Sequence, residues 1–250
     1  VIGGSPKDRP EAIDKVTGKA RYAADINLPG QLIGKVLRSP HAHANLVSID
    51  TSEALKLPGV KAIVTRDDFE DMDNEYAASG ELTINYKDVT RNMIAREKVL
   101  YDGHPVAAVA ATSEAIAKKA LKLIKVQYEV LPHVINVVEA MQPGAPVLHD
   151  TMFTKGIQPA PEKPSNIALR MTSKLGDVEA GFKQADIVIE REYNTAATHQ
   201  GYIEPQASVA NYTDGGTAEV WTGTQGHFVF RSQIAKLLKM DISKVKVTPC

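Results

Sequence analysis

The stretch from Ala207 to Val247 constrains the fold of this chain more than any other. An apolar run, Ala207 to Val209, is followed by Asp214-Gly215-Gly216 and then by a second apolar stretch, Ala218 to Trp221. Two such runs joined by Asp-Gly-Gly predict a β-hairpin, because glycine accepts the positive φ of a tight turn. The second strand leads into Thr224-Gln225-Gly226. Phe228 to Leu238 then carries apolar residues at 230, 234, 237 and 238, the spacing of a helix. Val245-Lys246-Val247 predicts a further strand, whose sheet neighbours are expected to come partly from polypeptide outside this chain. Gln225 thus falls where a strand gives way to a helix. Backbone N–H groups lack partners at a helix start, and an amide side chain there adds an uncharged donor and acceptor. Two readings are open: Gln225 caps the helix, or it holds an oxo or phosphate group.

Composition narrows the classes. With 250 residues the chain forms one large or two modest domains and has ample length for a buried core. Lys and Arg number 29 against 30 Asp and Glu, so nothing points to a nucleic-acid surface. No run approaches the roughly 20 apolar residues of a membrane span, and the first residues lack the apolar core of a signal peptide. Cys250 is the single cysteine. An iron–sulfur cluster takes about four cysteine ligands, so this chain alone does not build one. Intrachain disulfides are excluded as well, which agrees with a reducing compartment and an expected cytoplasmic location. The opening at Val1 and the end at Thr248-Pro249-Cys250, directly after a strand, are read as those of a fragment or one piece of a split subunit. Phosphate-binding and dinucleotide-binding glycine loops are absent, as is a Gly-x-Ser-x-Gly nucleophile elbow.

Taken in order, residues 1–12 hold Gly3, Gly4, Pro6 and Pro10 and predict an extended arm. Leu32 to Leu37 predicts a strand running into Arg38-Ser39-Pro40-His41-Ala42-His43-Ala44. Histidines two apart on a strand share a face, so a metal pair is conceivable there, with no third ligand nearby. Strands are expected at Leu46–Ile49, Val60–Thr65, Val99–Tyr101, Val106–Ala110 and Lys125–Val130. A short helix follows Asp50, and a longer one, capped by Ser113, runs to Ile124. Asp67 to Glu81 is acidic and polar and predicts a surface excursion. His104 and His133, each beside a proline at a turn, are read as structural. The proline-rich residues 141–166 are the expected linker. Beyond it, strands are predicted at Ile167–Thr172 and Ile187–Tyr193, with a short helix over Asp177–Phe182. The class is α+β.

The series Gly201-Tyr202-Ile203-Glu204-Pro205-Gln206, hairpin, Thr-Gln-Gly, amphipathic helix, Asp241-Ile242-Ser243-Lys244-Val245-Lys246-Val247 resembles the molybdenum hydroxylases. This family includes xanthine dehydrogenase, aldehyde oxidase, carbon monoxide dehydrogenase and 4-hydroxybenzoyl-CoA reductase. The blocks Asp14 to Asp25, Tyr101 to Ala107 and Val126 to Pro132 carry the resemblance through the first half of the chain. It implies an α/β-hammerhead domain over residues 1–141, a linker over 142–166, and the first part of a molybdopterin-binding α+β domain over 167–250. The Arg38 to Ala44 corner is then structural, without metal.

The implied activity is that of the molybdenum-cofactor subunit of a multi-subunit oxidoreductase. Such an enzyme hydroxylates, or reductively dehydroxylates, an aromatic, N-heterocyclic or aldehyde substrate, with water as the oxygen source. The metal is held by the dithiolene of the pterin rather than by side chains. By the same resemblance, Gln225 matches the glutamine whose amide hydrogen-bonds the oxo ligand of the molybdenum centre. Gly226 lets backbone approach the cofactor, His227 is a further cofactor-binding candidate, and Glu204 gives structural support. The implied partners are the remaining part of the molybdopterin subunit, an iron–sulfur subunit and an FAD subunit. The family's glycine-rich loop and catalytic glutamate are not in this sequence. The blocks at 38–44 and 120–126 lean toward the 4-hydroxybenzoyl-CoA reductase branch. The alternative from another class is a non-catalytic docking module that only assembles partner subunits.

Overall fold

A computed structural model describes residues 11–79 and 82–250 of the chain. Residues 1–10 of the arm predicted over 1–12, and Gly80-Glu81 at the end of the acidic excursion, lie outside the described residues; Ala12, at the arm's end, begins a helix instead. The first elements in order are α1 (Ala12–Val16), β1 (Ile33–Arg38), β2 (Ala44–Asp50), α2 (Ser52–Leu55) and β3 (Val60–Thr65). There follow β4 (Tyr76–Ser79), β5 (Leu82–Asn85), α3 (Tyr86–Met93), β6 (Lys98–Val99) and β7 (Pro105–Ala111). Next come α4 (Glu114–Leu123), β8 (Lys125–Val130), α5 (Val137–Ala140) and α6 (Val178–Gln184). The last are β9 (Ser208–Tyr212), β10 (Ala218–Thr222), α7 (His227–Leu237) and β11 (Val245–Pro249). The chain divides into two units. One comprises Leu32–Glu75 and Tyr86–Thr198; the other comprises Val1–Gln31, Tyr76–Asn85 and His199–Cys250.

The larger unit is built around β7, an alanine-rich strand that pairs antiparallel with both β1 and β3. Side chains alternate across a strand, so β7 serves two cores. Ala107, Val109 and Ala111 face Ala117 and Ala120 of α4, while Val106 joins Ala44, Leu46, Ala95 and Val99 beneath a second sheet of order β6-β2-β8. Small side chains on both surfaces let α4 lie close to the sheet. Helix α4 begins where the sequence places it: the Ser113 hydroxyl accepts the Ile116 N–H at 3.3 Å. Its first residue, Glu114, meets Lys35 of β1 at 2.9 Å and Lys118 at 3.0 Å. Hydrogen bonds from those two ammonium groups hold its pKa down to about 2.

Two histidines of this unit, His43 and His104, are buried and bonded to backbone carbonyls. His104 is fully buried, its Nε2 lies 2.8 Å from the Arg91 carbonyl, and its Nδ1 accepts the Leu100 N–H at 3.2 Å. That pattern fixes the neutral Nε2–H tautomer. The Nδ1 of His43 donates to the Pro132 carbonyl at 2.8 Å, and the His41 ring stands edge-on to Tyr128. His133 is exposed. The corner from Arg38 to Ala44 is held by Arg38 donating to the Gly103 carbonyl and by the Ser39 hydroxyl accepting the His41 N–H. Residues 142–166 form no helix or strand beyond a single bridge at Lys155, yet they are tied down. Asn166 accepts the Leu148 N–H and donates to the carbonyls of Ala140 and Pro146, and Lys98 meets Asp150 at 2.6 Å.

Several expectations fail for identifiable reasons. The excursion read over Asp67 to Glu81 is largely exposed, but its end, Tyr76–Ser79, is a strand that pairs with Leu82–Asn85, and α3 follows. Its polar composition hid a strand pair whose ladder is satisfied locally. The short helix α5 also went unread, although Asn136 caps it by accepting the N–H groups of Val138 and Glu139. Conversely, Ile167–Thr172 makes only the bridge between Lys155 and Leu169, and Ile187–Tyr193 is not a strand. Ile187, Ile189 and Tyr193 are 79%, 73% and 86% exposed. The pattern of a strand is present, but a strand exists only where a neighbour takes its N–H and C=O groups. Among the described residues no neighbour lies alongside.

Candidate functional site

The second unit holds the predicted hairpin and the strand-to-helix turn at Gln225. Strands β9 and β10 pair antiparallel, as the Asp-Gly-Gly turn implies. Their turn is closed by the Gly216 N–H on the Thr213 carbonyl at 2.8 Å, with Gly216 at φ 73° as a tight turn requires. From β10 the chain passes through α7 and returns as β11, which pairs parallel with β10. Strand β11 is expected to find its sheet neighbours only partly outside this chain: β10 is its partner within the chain, and its other edge is unpaired among the described residues. Ala235 of α7 packs on Val245 and Val247, with Val220 and Ile234 around them. Of the apolar stripe read on this helix, Phe230 and Leu238 are exposed, because the three-stranded sheet covers only part of the helix. Arg231 holds α7 to the returning chain, donating to the carbonyls of Ile242 and Val245.

Gln225 lies in the bend between β10 and α7, and its side chain is exposed. It is not the helix cap. Gly226 is the N-cap, with φ −152°, and no side chain caps the helix start. Among the described residues the Gln225 amide has no hydrogen-bond partner. The first intrahelical bond at this end runs from the Phe230 N–H to the Gly226 carbonyl at 3.0 Å, so the N–H groups of His227, Phe228 and Val229 are those a helix start leaves open. His227 is the first helical residue, half-buried, with its ring 4.4 Å from that of Phe228. The φ of Gly226 is negative, and a β-carbon there would meet Val229 only at 3.8 Å. Internal packing therefore gives no reason for glycine at 226.

Two features escaped the sequence. The Thr224 hydroxyl accepts the Gly226 N–H at 3.0 Å, closing a small ring around Gln225. A threonine two residues before a glycine at a strand end was the available signal. The second feature is a cleft of about 560 Å³ lined by Tyr202, Glu204, Gln206, Ser208, Thr222, Gly223 and Phe230. Register creates it. Ser208 lies opposite Thr222 across the hairpin, and their hydroxyls are 2.7 Å apart. The Glu204 carboxylate stands over Gly223, 3.8 Å from where a β-carbon would sit. Among the described residues no group of three or more His, Cys, Asp or Glu side chains is placed to hold a metal ion. What the bend offers instead is an uncharged amide donor beside open backbone N–H groups. That donor set suits the oxygens of a ligand that brings its own metal, such as a pterin-bound molybdenum centre.

Fold and bend together describe a mixed α/β module followed by a sheet-and-helix unit that presents neutral donors at a strand-to-helix turn. Residues 17–132 match the family model for the aldehyde oxidase and xanthine dehydrogenase a/b hammerhead domain, and residues 159–249 match that for the molybdopterin cofactor-binding domain. The chain is 34% identical over 247 residues to a probable xanthine dehydrogenase component of Bacillus subtilis (strain 168), an alignment covering 99% of this chain and 30% of that one. It is 30% identical over 244 residues to the nicotinate dehydrogenase large molybdopterin subunit of Eubacterium barkeri, covering 98% of this chain and 52% of that one. Among solved structures, quinoline 2-oxidoreductase from Pseudomonas putida 86 superposes with a TM-score of 0.80 at 28% identity, over 96% of this chain and 29% of that one. Reconstituted CO dehydrogenase from Oligotropha carboxidovorans gives 0.77 at 30% identity, over 97% and 30%. The chain belongs to the xanthine dehydrogenase and aldehyde oxidase family of molybdenum hydroxylases. It carries the α/β-hammerhead and molybdopterin cofactor-binding folds expected from the sequence, and it spans about 30% of the length of most of these relatives.

Proposed function

We propose that this chain is part of the molybdenum-cofactor subunit of a multi-subunit oxidoreductase that hydroxylates, or reductively dehydroxylates, an aromatic, N-heterocyclic or aldehyde substrate. When bound, the cofactor supplies the two-electron redox chemistry, with water as the source of oxygen. The chain's own part is to orient that group. Gln225 donates its amide N–H to an oxygen of the metal centre, Gly226 leaves room for backbone to approach, and His227 flanks the cofactor at the helix start. Glu204 supports the turn across the cleft. The observation that carries this reading is the Gln225 amide: it is exposed, has no hydrogen-bond partner among the described residues, and is not engaged as a cap.

The names of the relatives, among them a large molybdopterin subunit and CO dehydrogenase, support the same assignment. This stretch holds one cysteine and a cluster takes about four, so the clusters that carry the electrons away lie outside it. An iron–sulfur chain, an FAD chain and the rest of the molybdopterin subunit are therefore the proposed partners, in the cytoplasm. No described helix is long and apolar enough to cross a membrane. The test is cofactor analysis of the protein purified with its native partners. Molybdenum and pterin near one per complex are expected. A colourless complex free of metal would instead make the chain a docking module.

A further inference from the structure

We propose that Thr224 is the positioning residue for Gln225: its hydroxyl sets the direction of the amide by holding the bend between β10 and α7. This inference rests on the reading of Gln225 as a contact to the cofactor, and it assigns a function to a residue that touches neither cofactor nor substrate. Gln225 has no partner among the described residues to orient it. It is followed by Gly226, whose backbone is intrinsically free and whose missing side chain contributes no cap. An exposed glutamine next to a glycine would sample many directions, and a donor that is not preorganised contributes little. The restraint comes from one residue upstream. Thr224 Oγ1 accepts the Gly226 N–H at 3.0 Å, spanning Gln225 with a ring of the kind that serine and threonine form in tight turns.

Thr224 is itself half-buried and sits two residues beyond Thr222, whose buried hydroxyl meets Ser208 and whose carbonyl accepts the Cys250 N–H at 3.2 Å. The ring is thus anchored to the end of a sheet whose strands are fixed on both sides of β10. On the far side, Arg231 ties α7 to the chain entering β11. Between these two fixed points the Thr224 ring determines where the main chain of residue 225 turns. Its hydroxyl, unlike a methyl group, is the acceptor on which that turn closes.

The experiment compares Thr224→Val, Thr224→Ser and Gln225→Ala in the intact holoenzyme with its partner subunits. It has two readouts besides turnover. One is amide exchange, followed by mass spectrometry with residue-level fragmentation across 222–230. The other is the electron paramagnetic resonance spectrum of pentavalent molybdenum, normalised to bound metal. Thr224→Val is expected to speed exchange at Gly226 roughly fivefold, the factor an ordinary hydrogen bond sustains, and to change the molybdenum spectrum in the same sense as Gln225→Ala. Thr224→Ser should restore both. A spectrum altered by Gln225→Ala but not by Thr224→Val overturns the assignment of Thr224 and leaves the Gln225 reading standing. A wild-type spectrum for Gln225→Ala overturns the Gln225 reading, and the assignment of Thr224 with it. Unchanged exchange at Gly226 in Thr224→Val, or failure of serine to restore the spectrum, also overturns the assignment of Thr224.

Discussion

Replacing Gln225 by alanine separates a cofactor contact from a structural role, because the structure sets the two expected costs far apart. The amide is exposed and unpaired among the described residues, and the helix cap is Gly226, so truncation removes no hydrogen bond and no core contact. Stability should change by less than about 0.5 kcal/mol, the range for surface substitutions away from special contacts. For a chain of this size that is a shift in Tm of under about 2 °C. Had Gln225 been the cap, the cost would be about 1 kcal/mol. Loss of one preorganised donor to a charge-bearing oxygen costs about 3 kcal/mol in the transition state, on the order of a hundredfold in rate. Gln225→Glu sharpens the contrast. A carboxylate beside open helical N–H groups is tolerated or stabilising, yet it repels an electron-rich oxygen, so turnover should fall at least as far as in the alanine variant. The assay is turnover per bound molybdenum in the complex with native partners, alongside thermal unfolding of each variant. Near wild-type turnover in both variants would remove Gln225 from the active site. A large loss of stability in either would show that the amide has a structural partner.

Other outcomes follow from the larger unit. Gly59 stands at φ +94°, where a β-carbon would come within 2.7 Å of Ile116 Cδ1 and 2.8 Å of Thr112 Oγ1, so Gly59→Ala should lower stability by about 2 kcal/mol in urea unfolding. Gly156 is less forgiving. At φ +79° a β-carbon would run into the Arg170 carbonyl oxygen, and Gly156→Ala should cost about 3 kcal/mol and expose Lys155 and Arg170 to fast amide exchange as their bridge opens. Ser113→Ala removes the cap of α4 and should cost about 1 kcal/mol by the same measurement. His104 gives a pH dependence. Burial pushes its imidazole below the ordinary 6.5, partly opposed by backbone hydrogen bonds at Arg91 and Asn92. The unfolded chain therefore takes up the proton first as the pH falls, so this contribution is complete above about 6.5 and is lost below it. Urea midpoints should fall between pH 7 and 5.5, and His104→Gln should flatten that limb; an unchanged slope would count against the buried neutral tautomer.

What the sequence determined by itself was local. The cap and apolar spacing of α4, the Asp177 cap of α6, the Asp-Gly-Gly turn and the strand–helix–strand order from β10 to β11 all follow from interactions within a few residues, which neighbours in sequence settle among themselves. The family resemblance belongs here too, since it rests on short blocks in order. Pairing across distance had to come from tertiary structure. β6 and β7 are separated only by a turn, yet β6 joins β2 while β7 lies between β1 and β3. Ile187–Tyr193 has the alternation of a strand and forms none, whereas Tyr76–Ser79, at the end of a stretch read as a polar excursion, pairs with Leu82–Asn85. The same distinction governs the site. The place of Gln225 in the chain was legible because a strand end followed by a helix start is a local event. The cleft depends on the register that sets Ser208 against Thr222, and the hold on Gln225 depends on which acceptor the Gly226 N–H finds. A backbone group takes whichever partner the fold brings within about 3 Å, and periodicity does not encode that choice.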